Sequence, residues 1–277
     1  MTAKSRCRLR IYSRLLFILI IYQSFTFAEA VAKNNDVRQL EFIGQLQPFF
    51  LAETKIENQR EWIASSFQVV DQFLTSDVED DSVDRNKMIL DFLEDVSVRN
   101  ADSDVRLAVS RVIEGYLLLS KNPQRSCDIF NKTLKFSKTN TDNLLVAKTY
   151  SGLAWCSNNL KDYDKAIQYL DTALRLPLAD LKNEEVGIYL SKGWIEYFSR
   201  KPEKSCVAFQ KVRDLSPESL YQKIQFRHGL SLCYKFQKNY DAALKEADGA
   251  LALIPTMKFI SLSVDIQTVR AWTNKYP

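Results

Sequence analysis

The chain has 277 residues, with 38 Lys and Arg against 34 Asp and Glu, one His, and only seven Gly and seven Pro. One His excludes a multi-His metal centre, and so few turn-formers argue against a β-rich or loop-rich fold. The excess positive charge lies wholly in residues 1–30, where Lys4, Arg6, Arg8, Arg10 and Arg14 face only Glu29, so residues 31–277 are formally neutral and give no electrostatic case for nucleic acid.

In chain order, "MTAKSRCRLRIYSR" is followed by "LLFILIIY" and "QSFTFAEA". A basic stretch, an apolar run shorter than the roughly 20 residues a spanning helix needs, and small residues at Ala28 and Ala30 follow the plan of a cleavable secretory signal. An uncleaved anchor is the competing reading. Cys7 precedes the apolar run, which argues against a lipid anchor. The expected mature chain starts at Val31 and is periplasmic or secreted. No later run is long and apolar enough to cross a membrane.

Residues 31–100 read as an N-terminal helical region. "EWIASSFQVVDQFL" and "RNKMILDFLEDVSV" place apolar residues at helical spacing. Between them "SDVEDDSVD" reads as a solvated turn; without the Gly and closing Glu of an EF-hand loop, no metal is expected there. The region is either a pair of degenerate repeats or a separate helical cap.

Residues 101–256 contain one pattern four times. "NPQRSCDIFNKTLKF" begins at Asn122, "YSGLAWCSNNLKDYDKAIQYLDTALRLP" at Tyr150, "KPEKSCVAFQKVRDL" at Lys201 and "FRHGLSLCYKFQKNYDAALKEADGALALIP" at Phe226. Small residues at Ser126, Ala166, Ser205 and Ala243 recur at steps of 40, 39 and 38 residues. A steady period of this size marks a solenoid whose units stack on their neighbours. Pro123 and Pro202 suit the first turn of a helix, where a missing N–H costs nothing, and Pro177, Pro217 and Pro255 suit its stop.

These units resemble tetratricopeptide repeats over roughly residues 104–256. Tyr150, Leu153, Ala154, Ala166, Leu170, Ala173 and Pro177 fit the pattern in the second unit. Leu230, Ser231, Ala243, Ala247, Ala250 and Pro255 fit it in the fourth, and Tyr189, Gly193, Ser205, Phe209, Val212 and Pro217 in the third. The first unit fits through Phe130 and Thr133, but its helix A takes no clear register. The resemblance implies an all-α solenoid of helical hairpins, a right-handed superhelix, flanked by the N-terminal helices and by a capping helix in residues 257–277. The period exceeds the family's usual length of about 34, which implies longer turns between units.

With the small residue of helix B counted as position 20, Cys127 and Cys206 fall at position 21 of units one and three, and Cys156 and Cys233 at position 10 of units two and four. The family's packing turns these faces towards each other across a unit boundary. The resemblance therefore implies disulfides Cys127–Cys156 and Cys206–Cys233, as an oxidising compartment permits. Four buried thiols acting as small hydrophobes are the alternative.

No glycine-rich phosphate loop and no GxSxG motif accompany the lone His228, so neither an enzyme nor a cofactor is expected. In tetratricopeptide arrays, positions 2, 5, 9, 12 and 13 of helix A line the concave face. Carried over, these give Lys148, Ser151, Trp155, Asn158 and Asn159 in unit two, and Gly187, Leu190, Trp194, Tyr197 and Phe198 in unit three. Unit four gives Gln225, His228, Leu232, Lys235 and Phe236, and unit one offers Arg111. Trp155 and Trp194 should then stand side by side in the groove, unless both pack beneath the N-terminal helices. The resemblance implies a scaffold or adaptor that binds a peptide or partner protein in the cell envelope. The alternative is a sensory, ligand-binding component of an envelope signalling system. The groove does not reproduce the Lys/Asn clamp used by some family members for C-terminal carboxylates.

Overall fold

The computed structural model describes residues 39–50, 58–74, 87–99, 104–137, 142–178, 181–254 and 260–273. The expected signal, the acidic stretch before α3 and Pro255 lie outside them. The described residues form helices and no strand: α1 over 39–50, then α2 Gln59–Leu74, α3 Lys87–Arg99, α4 Asp104–Leu118, α5 Pro123–Ser137, α6 Asn143–Asn159, α7 Tyr163–Ala173, α8 Lys182–Phe198, α9 Pro202–Leu215, α10 Leu220–Phe236, α11 Tyr240–Leu251 and α12 Ile260–Thr273.

Local chemistry sets the helix starts. Asn122, Asp162 and Asn239 cap α5, α7 and α11, each side-chain oxygen accepting a first-turn backbone N–H. Lys201 offers no such oxygen, and there Pro202 opens α9 instead. The turns from α6 to α7, α8 to α9 and α10 to α11 are three copies of one geometry. Lys161, Arg200 and Lys238 each take a left-handed backbone, with φ of 66°, 61° and 59°. The next residue's N–H closes a 2.9 Å bond to the carbonyl five residues back, from Asp162 to Ser157, Lys201 to Glu196 and Asn239 to Tyr234. These turns stay tight. The excess period therefore goes into the connections between units, such as Ala173 to Lys182, and into long helices, since α6, α8 and α10 each have 17 residues.

Consecutive helices pair as α4/α5, α6/α7, α8/α9 and α10/α11, and each pair stacks on the next. The even helices also touch one another in sequence, α4 with α6, α6 with α8 and α8 with α10. The odd ones show no comparable contact among the described residues, so the stack curves with the even helices inside. α3 packs on α4, and α12 closes the far end against α11 and α10.

Packing repeats every two units, not every one. Phe130 of α5 is fully buried between two glycines, Gly115 of α4 and Gly152 of α6; Phe209 of α9 is buried between Gly193 of α8 and Gly229 of α10. A Cβ on Gly115 would stand 2.6 Å from the Phe130 ring, and one on Gly193 2.7 Å from the Phe209 ring, so any side chain there must displace the aromatic. Ser126 Oγ donates to the Gly115 carbonyl and Ser205 Oγ to that of Gly193, both at 2.8 Å. Beside each wedge stands a disulfide: Cys127 is joined to Cys156 and Cys206 to Cys233, with Cα separations of 5.6 and 5.4 Å. The recurring Ser-Cys-x-x-Phe of the sequence is therefore a cross-unit joint of one hydrogen bond, one disulfide and one buried ring.

Candidate functional site

Position 9 of the even helices organises the inner face. Trp155 of α6 donates from Nε1 to Ser191 Oγ of α8 at 3.0 Å, so the indole leans towards the next unit. Trp194 of α8 centres an aromatic cluster: its ring lies 6.2 Å from Phe198 in a stacked arrangement, 6.1 Å from Tyr197 edge-on, 5.3 Å from Phe209 edge-on and 5.0 Å from His228. Both indoles are half-buried. Trp194 packs with the core of units three and four, alongside Val186, Leu190 and Leu230, rather than under the N-terminal helices.

Two ends of this face differ. At units one and two, α2 packs against both α4 and α6 and so lies inside the curve. There the Lys148 ammonium stands 5.7 Å above the Phe67 ring and pairs with Glu184 at 3.0 Å, both side chains largely covered. Lys148 is thus engaged within the fold. At units three and four the face carries exposed aromatic surface: Tyr197 at 41%, Phe198 at 47% and Phe236 at 48%.

Several residues expected on the groove occupy other environments. Asn158 is buried, donating from Nδ2 to Asn159 Oδ1, and its own Oδ1 has no partner. Asn159 is exposed but acts as a strut, its amide donating to the Leu119 carbonyl at the unit-one turn, 2.7 Å away. His228 is only 5% exposed, and this burial pushes its pKa down to about 4, keeping the ring neutral at ordinary pH. Lys235 is half-buried, and dehydration lowers its pKa as well.

Arg111 requires a correction of register. It lines a pocket with Glu114 of α4 and Arg125, Asp128, Ile129 and Lys132 of α5, away from the even-helix face. The Ser126–Gly115 and Ser205–Gly193 hydrogen bonds are the same bond in two units, yet eleven residues separate the first pair and twelve the second. Unit one is therefore one residue shorter between these landmarks, and counting back from Ser126 misplaces α4 by one. With Gly115 aligned to Gly193, Tyr116 becomes the equivalent of Trp155 and Trp194. Its packing agrees: Tyr116 meets Phe130 edge-on at 5.3 Å and 76°, the same values as Trp194 on Phe209. Tyr116 is the inner-face residue the sequence reading missed, and the paired glycines were the available signal.

Stacked helical hairpins with a curved inner face and no strand among the described residues define a helical-repeat solenoid. Residues 147–180, the α6/α7 hairpin and its exit, match the family model of the tetratricopeptide repeat. That hairpin is a tetratricopeptide repeat, and the disulfide-joined hairpins on either side continue the same stack. No curated protein was found to match it.

Proposed function

We propose that this protein is an exported scaffold that binds a peptide or partner protein on the inner face of units three and four. The observation carrying this reading is the exposed aromatic surface of Tyr197 and Phe198 against the half-buried Trp194, with exposed Phe236 at the repeat position of Phe198 in the next unit. Exposed aromatic side chains supply large contact area at little entropic cost, as binding anchors do. The joined units on either side of this surface pre-order it, which lowers the cost of association. The two disulfides support export, because such bonds persist outside the reducing cytosol. No described helix is long and apolar enough to cross a membrane.

A photo-crosslinking residue at Phe198, with a control at exposed Val207 on the outer helix α9, tests the reading in cells. Expected is a defined envelope protein captured from Phe198 and not from Val207, with capture lost in Tyr197→Ser/Phe236→Ser. Equal capture from both positions would rule the inner face out as the binding surface.

A further inference from the structure

Tyr116 and Trp155 each reach into the next unit: Tyr116 Oη donates to the Lys148 carbonyl at 2.8 Å, and Trp155 Nε1 to Ser191 Oγ. Trp194, third in the series, does not. Its Nε1 is buried without a partner. The reason lies in the two-unit packing. Ser191 is the sixth residue of its repeat, and the sixth residue of the next is Gly229, kept bare by the Phe209 ring. The polar group that does stand there is His228, its ring centre 5.0 Å from that of Trp194. His228 Nδ1 is likewise buried and unpartnered. A donor and a neutral nitrogen thus sit dehydrated in one aromatic pile. Each is costly while unpaired, and native proteins seldom leave such groups unsatisfied.

We propose that Trp194 and His228 form the point at which the groove reads a primary carboxamide, the side chain of an Asn or Gln in the bound segment. The amide carbonyl oxygen accepts from Trp194 Nε1, and the amide N–H donates to His228 Nδ1. This rests on the inner-face binding reading above. A primary carboxamide is a neutral group that carries an acceptor and a donor on one edge, whereas the C=O and N–H of a trans peptide unit point in opposite directions. A carboxylate brings no donor, an ammonium no acceptor, and both lose hydration on entering so apolar a place. The uncharged ring has one accepting nitrogen, which is Nδ1 when the proton sits on Nε2. Flanking apolar side chains of the ligand would rest on Phe198, Tyr197 and Phe236, so the segment read here is an amide set beside hydrophobic residues. Both polar atoms are closed to solvent. Entry therefore requires the half-buried indole, stacked on exposed Phe198, to turn.

The test follows the Trp194 indole N–H resonance of ¹⁵N-labelled, oxidised protein, assigned by its loss in Trp194→Phe or by its contacts with Phe198. Three probes are titrated: acetamide (donor and acceptor on one edge), N,N-dimethylacetamide (acceptor alone) and acetate. Expected is a saturable shift with acetamide, at a Kd about threefold to tenfold below that of N,N-dimethylacetamide, the worth of one hydrogen bond. Acetate should give no saturable shift, and the preference should vanish in His228→Leu. Equal responses to all three probes would mean binding of an adventitious additive only and overturn the proposal. So would a water molecule that contacts this N–H and persists unchanged through the titration, since the pair would then already be satisfied. Should His228→Leu not fold, the wild-type comparison of three probes decides alone. Partner capture at Phe198 without probe discrimination removes the amide reading and keeps the groove; discrimination without capture does the reverse.

Discussion

Acid should destabilise this protein through one imidazole whose contribution can be isolated, because the chain contains a single His. Burial against the Trp194 ring lowers the His228 pKa from 6.5 in the unfolded chain to about 4 in the folded one. Above pH 6.5 both states are neutral and the residue adds no pH dependence. Below it the unfolded chain takes up a proton that the folded chain refuses, so stability falls with pH until about pH 4, where the folded state protonates too. Each pKa unit is worth about 1.36 kcal/mol, so this gap removes about 3 kcal/mol across the window. Urea unfolding of the oxidised wild type and of His228→Leu at pH 7.5, 6.5, 5.5 and 4.5 measures it. Carboxylates titrate in both proteins and cancel in the difference. Expected is a difference that is constant above pH 6.5 and then shifts against the wild type at lower pH. A difference that stays flat down to pH 4.5 would refute the burial argument, as would an imidazole ¹³C resonance in the folded protein titrating near 6.5.

Four further outcomes follow from the helix packing. Phe130→Ala and Phe209→Ala should each cost about 3–5 kcal/mol in denaturant unfolding, because each ring is fully buried between two glycines. Gly152→Ala should destabilise by about 1–3 kcal/mol through overpacking against Phe130. Gly187→Ala, whose new Cβ meets only the Gln222 amide at 3.9 Å, should stabilise α8 by roughly 0.5–1 kcal/mol; thermal melts of the pair should move in opposite directions. Replacing Cys127 and Cys156 by Ala together should lower stability by about 3–4 kcal/mol on loop entropy, given their separation of 29 residues, and the variant's melting temperature should be insensitive to reductant at that joint.

The hairpin stack was legible because small residues recur where two helices touch: Ser126, Ala166, Ser205 and Ala243 are all fully or nearly fully buried. The cysteine partners were legible for the same reason, since a joint copied every two units copies its cysteines. Two things were not. The register of α4 slipped because it was counted from Ser126 along the chain, and unit one is a residue shorter there; Gly115 aligned to Gly193 would have corrected it. Exposure along the inner face was also beyond the repeat pattern. Whether Lys148 faces solvent depends on α2, brought against α6 by tertiary packing, and whether His228 is open depends on Trp194 from the preceding unit. Repeat position states which way a residue points and leaves open what covers it.

Wedge and disulfide occur at the α5/α6 and α9/α10 joints, and the joint between α7 and α8 lacks both. Leu170 stands where the others carry a phenylalanine, and surface ion pairs, Asp171 with Lys192 and Asp164 with Lys201, bridge the boundary. The apolar core also divides there: α8 sends Ile188 and Ile195 back to one cluster and Val186 and Leu190 forward to another. Mechanically the repeats should act as two riveted plates sharing a softer seam. Pulled from its ends, the molecule should yield first between α7 and α8, and thermal bending should concentrate there. Trp155 spans that seam through Ser191, so its fluorescence is a built-in strain gauge for the curvature of the whole stack.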